Sequence, residues 1–595
     1  ERIGVAIQKA INQAVDDDQY RHLLRQTTLL PQANISTIHA FCLKVIQRFF
    51  YLIDVDPVFR IMADTIEVEM LKEDVWEDLK EELYADFSTD FRKLAKAYSS
   101  DRNDDGMKDL VFSLYNFSRA NPDPSSWLDN MGQLYAVEQG LEKSKLFQTL
   151  LKPQMEEELL GILYDCSQAI HLGGEAEGTL VQRELLENER NVIESVYEAI
   201  RNNDYQLAFE RINALTFKTW RGATKKNEEY KETVSYMKDI RDKYKKAIQQ
   251  VRDNLFVRSR EEHEAIISET KPFVEEMARV TKLFNEAYWQ KKLSGNTLDF
   301  NDLEHLTLEI LLPMKDGKRE SSEASRYFRE KFAEVLIDEY QDVNQLQESI
   351  LHGVTRHYPE TENLFMVGDV KQSIYAFRLA DPGLFLKKYQ DFGRSIAGER
   401  IILAENFRSR GDVIDFTNFI FRQLMDVQVG QMAYDNLAEL KQGNLTFPET
   451  TSCQTEVMIY LKGERETDSQ ADYELTVQAD PESVLEIDDK ATGEITMVAQ
   501  KIRSLIDGKG EIYGKDTKTS RLLTYKDMVL LTPTKKNNLL ILETFKEYGI
   551  PVVLSDSQSF FQRTEIATIL SVLKIIDNPR QDIPLAAVLR SPIVG

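Results

Sequence analysis

The chain has 595 residues, 42% of them hydrophobic and 29% charged, and carries a net charge of −25. This length predicts two to four domains rather than one core, and the lack of any run of about 18 apolar residues argues against a membrane-spanning helix. The three scattered cysteines Cys42, Cys166 and Cys453 are too few for a disulfide framework or a zinc knuckle, so we expect a reducing, cytoplasmic setting.

Hydrophobic periodicity divides the first part of the chain into zones. Residues 1–66 are predicted to begin within a helix, to turn at Pro31 and to continue as the helix "ISTIHAFCLKVIQRFF". Residues 67–296 repeat an amphipathic helical pattern almost throughout. From 297 to 442, short apolar runs such as "AEVLID" and "NLFMVGD" alternate with helical patterns, which is typical of a parallel α/β sheet. The helical zone is therefore predicted to be an insertion into an α/β domain.

The α/β pattern returns after an acidic, irregular stretch at residues 443–490. There, "EITMVAQKIRSLI" and "NLLILETFKEYG" are predicted to be helices, and "DMVLLTPT" and "IPVVLS" to be strands. The glycines of "GKGEIYGKDT" (508–517) have the wrong spacing for a phosphate-binding loop, and Lys515 is followed by Asp516. We predict a charged loop at that position.

One basic stretch stands out in this acidic chain. Residues 217–260 contain 13 Lys and Arg against 6 Asp and Glu. A negative net charge argues against a nucleic-acid partner only when it is evenly spread, because a large enzyme can be basic along one groove. The stretch is therefore either a solvated helix with many ion pairs or a DNA-facing surface.

A predicted buried strand ends in two adjacent carboxylates, Asp338 and Glu339, in "VLIDEYQDVNQ" (335–345). In P-loop enzymes a hydrophobic strand ends in an Asp that holds Mg²⁺, and a following Glu can accept a proton from the attacking water. Open α/β sheets bind ligands at this edge. A strand that runs into an acidic turn is also a common structural feature, so this motif alone leaves both interpretations open.

The next predicted strand, in "LFMVGDVKQSIYAFRLADP", leads into a polar turn and an aromatic cluster. Gln372 can reach a terminal phosphate with its amide. Tyr375 and Phe377 beside Arg378 suit base stacking on a single strand, and local packing of the two rings is the alternative. A third element, "LAENFRSR", carries Arg408, which suits charge neutralisation in phosphoryl transfer or an ordinary salt bridge.

Taken in order, the motifs resemble those of superfamily 1 DNA helicases of the UvrD and Rep type. They are "STIHAFC" (36–42), "LDFNDL" (298–303), "VLIDEYQDVNQLQ" (335–347), "MVGDVKQSIYAFRLADP" (366–382) and "AENFRS" (404–409). Two further stretches resemble the AddA (RexA) family of helicase–nuclease subunits, which process double-strand DNA breaks; they are residues 56–71 and 560–595.

This resemblance implies an α/β fold with RecA-like P-loop motor domains, in which helices flank parallel sheets, and a large all-helical insertion. The implied domains are the first part of motor domain 1A without its phosphate loop (1–66), helical insertion 1B (67–296), the rest of 1A (297–396), motor domain 2A (397–560) and the start of a truncated helical domain 2B (561–595).

The resemblance also implies roles for single residues. Asp338 would position Mg²⁺, Glu339 would activate the hydrolytic water and Gln372 would sense the γ-phosphate. Arg408 would contact that phosphate from the second motor domain. Phe407, at a position where the family often has Tyr, would stack on adenine.

The implied DNA-contacting residues are Thr37, His39, Tyr375, Phe377 and Arg378. Ile38 stands where several relatives have Phe, which puts a base-contacting ring at that position in doubt. We expect Asp299 and Phe300, in "LDFNDL", to be mainly structural.

The family's phosphate-binding loop, G-x-x-x-x-G-K-[ST], is absent from the 595 residues. We therefore expect the chain to be an internal fragment that hydrolyses no ATP alone, because most triphosphate contacts would be missing. The resemblance implies ATP and Mg²⁺ as cofactors. The partners it implies are single- and double-stranded DNA and a second subunit of the AddB or RexB type, with no membrane.

Three functions are compatible with these residues. The first is the motor portion of an AddA-type helicase–nuclease subunit, which translocates along DNA and unwinds it. The second is a stand-alone UvrD-type repair helicase without a nuclease. The third is a non-catalytic DNA-binding scaffold, against which the presence of Asp338, Glu339, Gln372 and Arg408 argues.

Overall fold

The computed structural model describes residues 2–14, 16–86, 89–99, 105–174, 177–223, 225–357, 361–396, 398–427, 430–447, 454–460, 489–514, 517–554 and 564–594. The chain divides into two compact units, residues 1–401 and 402–595. No helix among the described residues is long and apolar enough to cross a membrane.

Helices make up most of the first unit before residue 296. They are α1 (Arg2–Asn12), α2 (Asp17–Leu29), α3 (Ile38–Phe49), α4 (Thr65–Ala85), α5 (Thr89–Tyr98), α6 (Asp105–Arg119), α7 (Pro124–Leu134), α8 (Lys152–Gly173), α9 (Leu180–Arg201), α10 (Tyr205–Ala214), α11 (Lys231–Leu255) and α12 (Arg260–Ser294). The helical prediction for residues 67–296 is confirmed for the described part of that zone.

The helical zone is built around two apolar cores. One lies among α8, α9, α10 and α11, and the other packs α4, α5 and α6 against the C-terminal half of α12. Two short strands flank the zone, β1 (Arg60–Ile61) and β2 (Thr297–Leu298), and pair in parallel. The chain therefore returns, after all these helices, to a point beside the one from which it left.

Arg241, in the centre of the basic stretch, fits neither interpretation of that stretch. Its side chain is only 2% exposed, and its Nε donates to Glu189 Oε2 at 3.0 Å. The hydroxyl of Tyr244 donates to the same carboxylate. Arg241 is thus part of the core, whereas Lys243 is exposed and pairs with Asp165 at 3.1 Å.

The rest of the first unit alternates helices and short strands. It contains α13 (Phe300–Leu311), β3 (Met314–Lys315), β4 (Lys318–Arg319), α14 (Glu323–Lys331), β5 (Val335–Ile337), α15 (Gln345–Val354), β6 (Leu364–Met366) and α16 (Pro382–Gly393). Its main apolar core packs α3 against α13, α14 and α15. β5 and β6 pair in parallel, with Ile337 opposite Met366, as the apolar runs predicted.

The prediction that β5 is a buried strand is wrong for one of its faces. Side chains alternate between the two faces of a strand. Ile337 and Met366 pack with Tyr340 and Phe385 on one face, while Leu336 and Phe365 are 66% and 51% exposed. The described residues therefore cover only one side of this two-stranded sheet.

The second unit contains β7 (Glu405–Asn406), α17 (Gly411–Leu424), β8 (Lys441–Gln442), α18 (Asp489–Asp507), β9 (Glu511–Gly514), β10 (Thr519–Leu522), α19 (Asn538–Glu547), α20 (Thr564–Asp577) and α21 (Asp582–Leu589). β7 pairs in parallel with β8. The two helices predicted in this part of the chain are confirmed as α18 and α19.

Three other predictions for the second unit are wrong. "DMVLLTPT" and "IPVVLS" are not strands in the described residues, and Leu531 and Val553 are 88% and 96% exposed. Apolar runs become strands only where a neighbouring strand accepts their backbone hydrogen bonds. The predicted charged loop is a hairpin of β9 and β10, because Glu511–Gly514 pairs antiparallel with Thr519–Leu522.

Parts of the predictions lie outside the described residues. These are Lys515 and Asp516 of the rejected phosphate loop, Cys453, most of the acidic stretch at 443–490, and residues 555–563 before α20.

Candidate active site

The parallel pairing of β5 and β6 brings the two polar turns that follow them to the same sheet edge. Val367 N–H donates to Ile337 O at 2.9 Å, and Tyr340 N–H donates to Val367 O at 2.9 Å. The pairing therefore continues one step beyond each strand. Asp338 and Glu339 emerge next to Gly368 and Asp369, where α/β sheets hold their ligands.

Glu339 has a left-handed backbone conformation, with φ 51° and ψ 47°. This conformation costs a residue other than glycine about 1–2 kcal/mol, and such strain concentrates at functional sites. The buried Tyr340 on its C-terminal side and the Glu339 N–H bond to Asp338 Oδ1 at 3.0 Å hold the turn. Both carboxylates are exposed.

Gln341 connects the two turns. Its side chain is 1% exposed; its Nε2 donates to Glu339 Oε2 at 2.6 Å, and its Oε1 accepts from Asp369 N–H at 2.9 Å. A buried amide with both ends bonded has one stable orientation. Gln341 thus fixes the carboxylate of Glu339 relative to the turn that carries Gln372.

We predict that Gly368→Ala disrupts this bridge. A Cβ at Gly368 would lie 2.6 Å from Gln341 Oε1 and 3.2 Å from Tyr340 N. Displacing the buried amide is expected to cost about 1–3 kcal/mol of folding free energy. The urea unfolding midpoint, followed by tryptophan fluorescence, measures this loss. Gly222→Ala is the control because no atom lies within 4 Å of its added Cβ; equal midpoints for the two variants would contradict the prediction.

Asp369 holds Gln372 at the rim of the same turn. Gln372 Nε2 donates to Asp369 Oδ2 at 3.0 Å, and Lys371 Nζ lies 2.8 Å from Asp369 Oδ1. Burial alone would raise the pKa of Asp369, but the hydrogen bonds and the ammonium of Lys371 outweigh it and lower that pKa. The carboxylate is therefore ionised at neutral pH and orients Gln372.

These turns line a cleft of about 860 Å³ in the first unit. Its walls are polar and mostly come from the motifs predicted above; they are His39, Asn301, Glu304, Glu339, Gln341, Asp342, Asn344, Gln347, Lys371, Gln372, Ile374, Tyr375 and Arg378. Of the predicted site residues, the structure thus brings together Glu339, Gln372, His39, Tyr375 and Arg378, with Asp338 next to Glu339 in the chain.

Asp342 adds a negative group to this cleft. Its Oδ1 is buried and has no hydrogen-bond partner in the part of the chain that the structure describes. Burial, followed by the charge of Glu339, raises the pKa of Asp342, while Arg378 opposes the shift. The cleft therefore contains an unsatisfied acceptor that faces both the carboxylate turn and the arginine.

The aromatic residues form an exposed platform beside the cleft. The rings of Tyr375 and Phe377 have centroids 5.7 Å apart, and the guanidinium of Arg378 lies 4.8 Å from the Tyr375 centroid and 5.6 Å from that of Phe377. Phe377 is 75% exposed, so it is not a core residue. A flat ring beside a cation suits stacking on unpaired bases.

Thr37 and His39 lie at the start of α3. Thr37 is the N-cap, and its hydroxyl accepts from Ala40 N–H at 3.4 Å. His39 Nε2 lies 3.1 Å from Glu304 Oε1, and its ring is 5.2 Å from that of Phe300. The hydrogen bond with Glu304 raises the pKa of His39 against the opposing effect of burial.

The expectation that Asp299 is structural agrees with its contacts. Asp299 caps α13, and Lys292 Nζ bonds both Asp299 Oδ2 at 2.8 Å and Asp302 Oδ2 at 2.5 Å. Arg119 Nη2 donates to Asp302 Oδ1 at 3.0 Å. Burial would raise the pKa of Asp299, but Lys292 and the capping bonds lower it to about 2. The neighbouring Phe300 is 44% exposed.

Phe407 and Arg408 belong to the second unit. They follow β7, and Asn406 Oδ1 accepts from the N–H groups of Arg408 and Ser409, both at 2.9 Å. The Phe407 ring lies over Gly443, where a Cβ would come within 2.8 Å of it. Both side chains are exposed at the end of a strand.

Sequence reasoning missed several residues of the cleft. Gln341, Asp369 and Lys371 are in quoted motifs but were assigned no role, and Glu304 and Gln347 were not singled out. Alternation along "DEYQD" gives a weak signal for Gln341, because a polar residue between the buried Tyr340 and Val343 needs internal partners. Nothing in the sequence pairs Glu304 with His39.

Comparison with known families assigns the class of protein. The family model described as UvrD/REP helicase N-terminal domain matches residues 2–393, and the one described as UvrD-like helicase C-terminal domain matches residues 401–595. The chain belongs to the UvrD/REP helicase family. It consists of UvrD-type, RecA-like helicase domains with a mostly helical structure and small sheets.

Individual relatives narrow the comparison to one kind of protein, the A subunit of an ATP-dependent helicase/nuclease. The whole chain is 50% identical to this protein from Enterococcus faecalis, of which it covers 46%. It is 41% and 42% identical to the proteins of the same name from Ligilactobacillus salivarius and Pediococcus pentosaceus, covering 47% of each. The chain thus spans about half the length of these curated relatives.

Proposed function

We propose that this chain is the motor portion of an AddA-type helicase–nuclease subunit, which uses ATP to move along DNA and unwind it during double-strand break repair. One observation carries the proposal. The exposed Asp338–Glu339 turn is bonded through the buried Gln341 to the Asp369–Gln372 turn, in a cleft that also contains His39 and Arg378.

The carboxylates fit a nucleotide-bound magnesium ion. Mg²⁺ is usually held by one or two carboxylates together with substrate phosphates, and Asp338 offers an exposed carboxylate at the sheet edge. When bound, the ion polarises phosphoryl oxygens and neutralises charge. Glu339, oriented by Gln341, would accept a proton from the attacking water, and Gln372, oriented by Asp369, would donate its amide to the terminal phosphate.

The second unit would complete the motor. Arg408 would neutralise charge on the transferring phosphate, and Phe407 would stack on adenine. The proposed domains remain 1A (1–66 and 297–396), 1B (67–296), 2A (397–560) and 2B (561–595). Support for 1B as an insertion comes from the parallel β1–β2 pair, which joins residues on either side of the helical zone.

DNA would contact Thr37, His39 and the platform of Tyr375, Phe377 and Arg378. We predict that Phe377→Ala weakens single-strand binding by about 1–3 kcal/mol, the usual contribution of one base–aromatic stack. Fluorescence anisotropy with an oligothymidine measures the effect in the complete gene product. Phe419→Ala, at a ring that is 56% exposed on α17, is the control. Identical affinities for both variants would contradict the prediction.

Two further features of the intact protein are part of the proposal. The relatives' names describe one subunit of a helicase/nuclease, which favours the AddA-type function over a stand-alone helicase. The same names support a second subunit, of the AddB or RexB type. We place this assembly in the cytoplasm, as the scattered thiols predicted.

The proposal is tested by ATP hydrolysis with and without single-stranded DNA. We expect DNA-stimulated turnover from the complete gene product and only background turnover from the 595-residue chain, whose sequence contains no G-x-x-x-x-G-K-[ST] loop to supply the backbone N–H groups and the lysine that bind phosphates. Robust turnover by the 595-residue chain would refute the inactivity, and DNA-independent turnover by the complete product would refute the motor function.

A further inference from the structure

Glu304 is a buried carboxylate that joins two parts of the cleft. It is 2% exposed, and one of its oxygens, Oε1, receives both His39 Nε2 at 3.1 Å and Gln347 Nε2 at 2.8 Å. A carboxylate is buried at this depth only when charged or hydrogen-bonding partners compensate for lost solvation. The positions of His39 and Gln347 are therefore coupled through a single oxygen atom.

Gln347 passes this connection to the start of α15. Its Oε1 accepts from Asn344 N–H at 3.4 Å, and Asn344 Oδ1 accepts from Gln347 N–H at 2.8 Å. These two bonds form the capping box of α15. The cap directly follows the turn that carries Asp338, Glu339 and Gln341. A shift of Glu304 would therefore move the C-terminal anchor of the carboxylate turn.

His39 lies at the other end of the connection. It is in the first turn of α3, lines the cleft and rests on the ring of Phe300, itself the first residue of α13. Glu304 projects from the same helix, α13, one turn further along. A ligand that moves or charges His39 thus acts on Glu304 directly, and on Asn344 through Gln347.

We propose that Glu304 is a positioning residue that couples occupancy of the single-strand site at His39 to the geometry of the carboxylate turn at Glu339. This inference rests on the proposed function, because it assigns the two ends of the connection to DNA and to nucleotide. Glu304 touches neither ligand. It acts by holding His39 and the α15 cap in one arrangement.

The test measures coupling between the two ligands in the complete gene product. The dissociation constant of an oligothymidine is determined with and without the non-hydrolysable analogue adenylyl imidodiphosphate and Mg²⁺. Their ratio reports the coupling, which typically lies between about 5-fold and 150-fold. Glu304→Gln keeps the shape of the side chain and removes its charge. We expect the ratio to fall to about one, with little change in DNA affinity without nucleotide.

The matched control is Glu309→Gln on the same helix, where the carboxylate pairs with Arg319 at 3.3 Å; it should keep the wild-type ratio. Gln347→Met interrupts the connection from its other side and decides the question if Glu304→Gln does not fold. An unchanged ratio in either folded variant, or a wild-type ratio of one, overturns the inference. The proposed function fails separately, if Glu339→Gln leaves ATP turnover intact.

Discussion

Glu339→Gln in the complete gene product is expected to lower kcat for ATP hydrolysis by about 10²–10⁴-fold, the usual contribution of a general base. The amide cannot accept the proton of the attacking water. It can still accept the hydrogen bond that Gln341 Nε2 donates at 2.6 Å, so the turn should keep its conformation. Nucleotide affinity should change little, because Asp338 remains. Steady-state kinetics and nucleotide titration measure the two effects separately.

Glu334→Gln is the matched control for this variant. Glu334 is an exposed acid immediately before β5 and lies outside the cleft, so its replacement should leave kcat at the wild-type value. Unchanged turnover in the Glu339 variant would remove that residue from the role of base. A loss of nucleotide binding comparable to the loss of kcat would instead assign it to the metal site.

Lys292→Met is expected to destabilise the first unit by about 3–5 kcal/mol, the cost of removing one partner from a buried ion pair. Lys292 is 1% exposed, and its ammonium is bonded to both Asp299 and Asp302. Methionine fills a similar volume but leaves two buried carboxylates with only Arg119 as a cation in direct contact among the described residues. The network connects α6, α12 and α13, so the loss should affect the whole unit.

Urea unfolding followed by tryptophan fluorescence measures this change in the right part of the chain. All four tryptophans lie in the first unit, at Trp76, Trp127, Trp220 and Trp289. The adjacent but exposed Lys291 provides the control, Lys291→Met, for which we expect a change within about 0.5 kcal/mol. A loss below about 1 kcal/mol in the Lys292 variant would show that the two carboxylates are stabilised by other groups.

Local patterns in the sequence were sufficient to predict the elements that form the cleft. β5, β6 and the helices from α8 to α12 follow directly from apolar periodicity, and the polar turns after the strands follow from parallel pairing. The residues at Asp338, Glu339 and Gln372 were predicted from the kind of side chain at each strand end. Their roles in hydrolysis stay predictions.

The connections between these elements could not be predicted, because they join residues far apart in the chain. Glu304 meets His39 and Gln347 only because α3, α13 and α15 share one core. Arg241 counts as a basic residue in the sequence, yet its pairing with Glu189 on α9 places it in the interior. The false strands near Leu531 and Val553 have the correct residues but no strand beside them among the described residues.

The most direct test of the proposed nucleotide site is an experimental structure of the complete gene product with adenylyl imidodiphosphate and Mg²⁺. The proposed function predicts that the Asp338 carboxylate ligates the ion directly or through one water, that Glu339 faces the terminal phosphate, and that the Gln372 amide contacts it. A nucleotide bound elsewhere, with Asp338 and Glu339 facing bulk solvent, would contradict the proposed motor site.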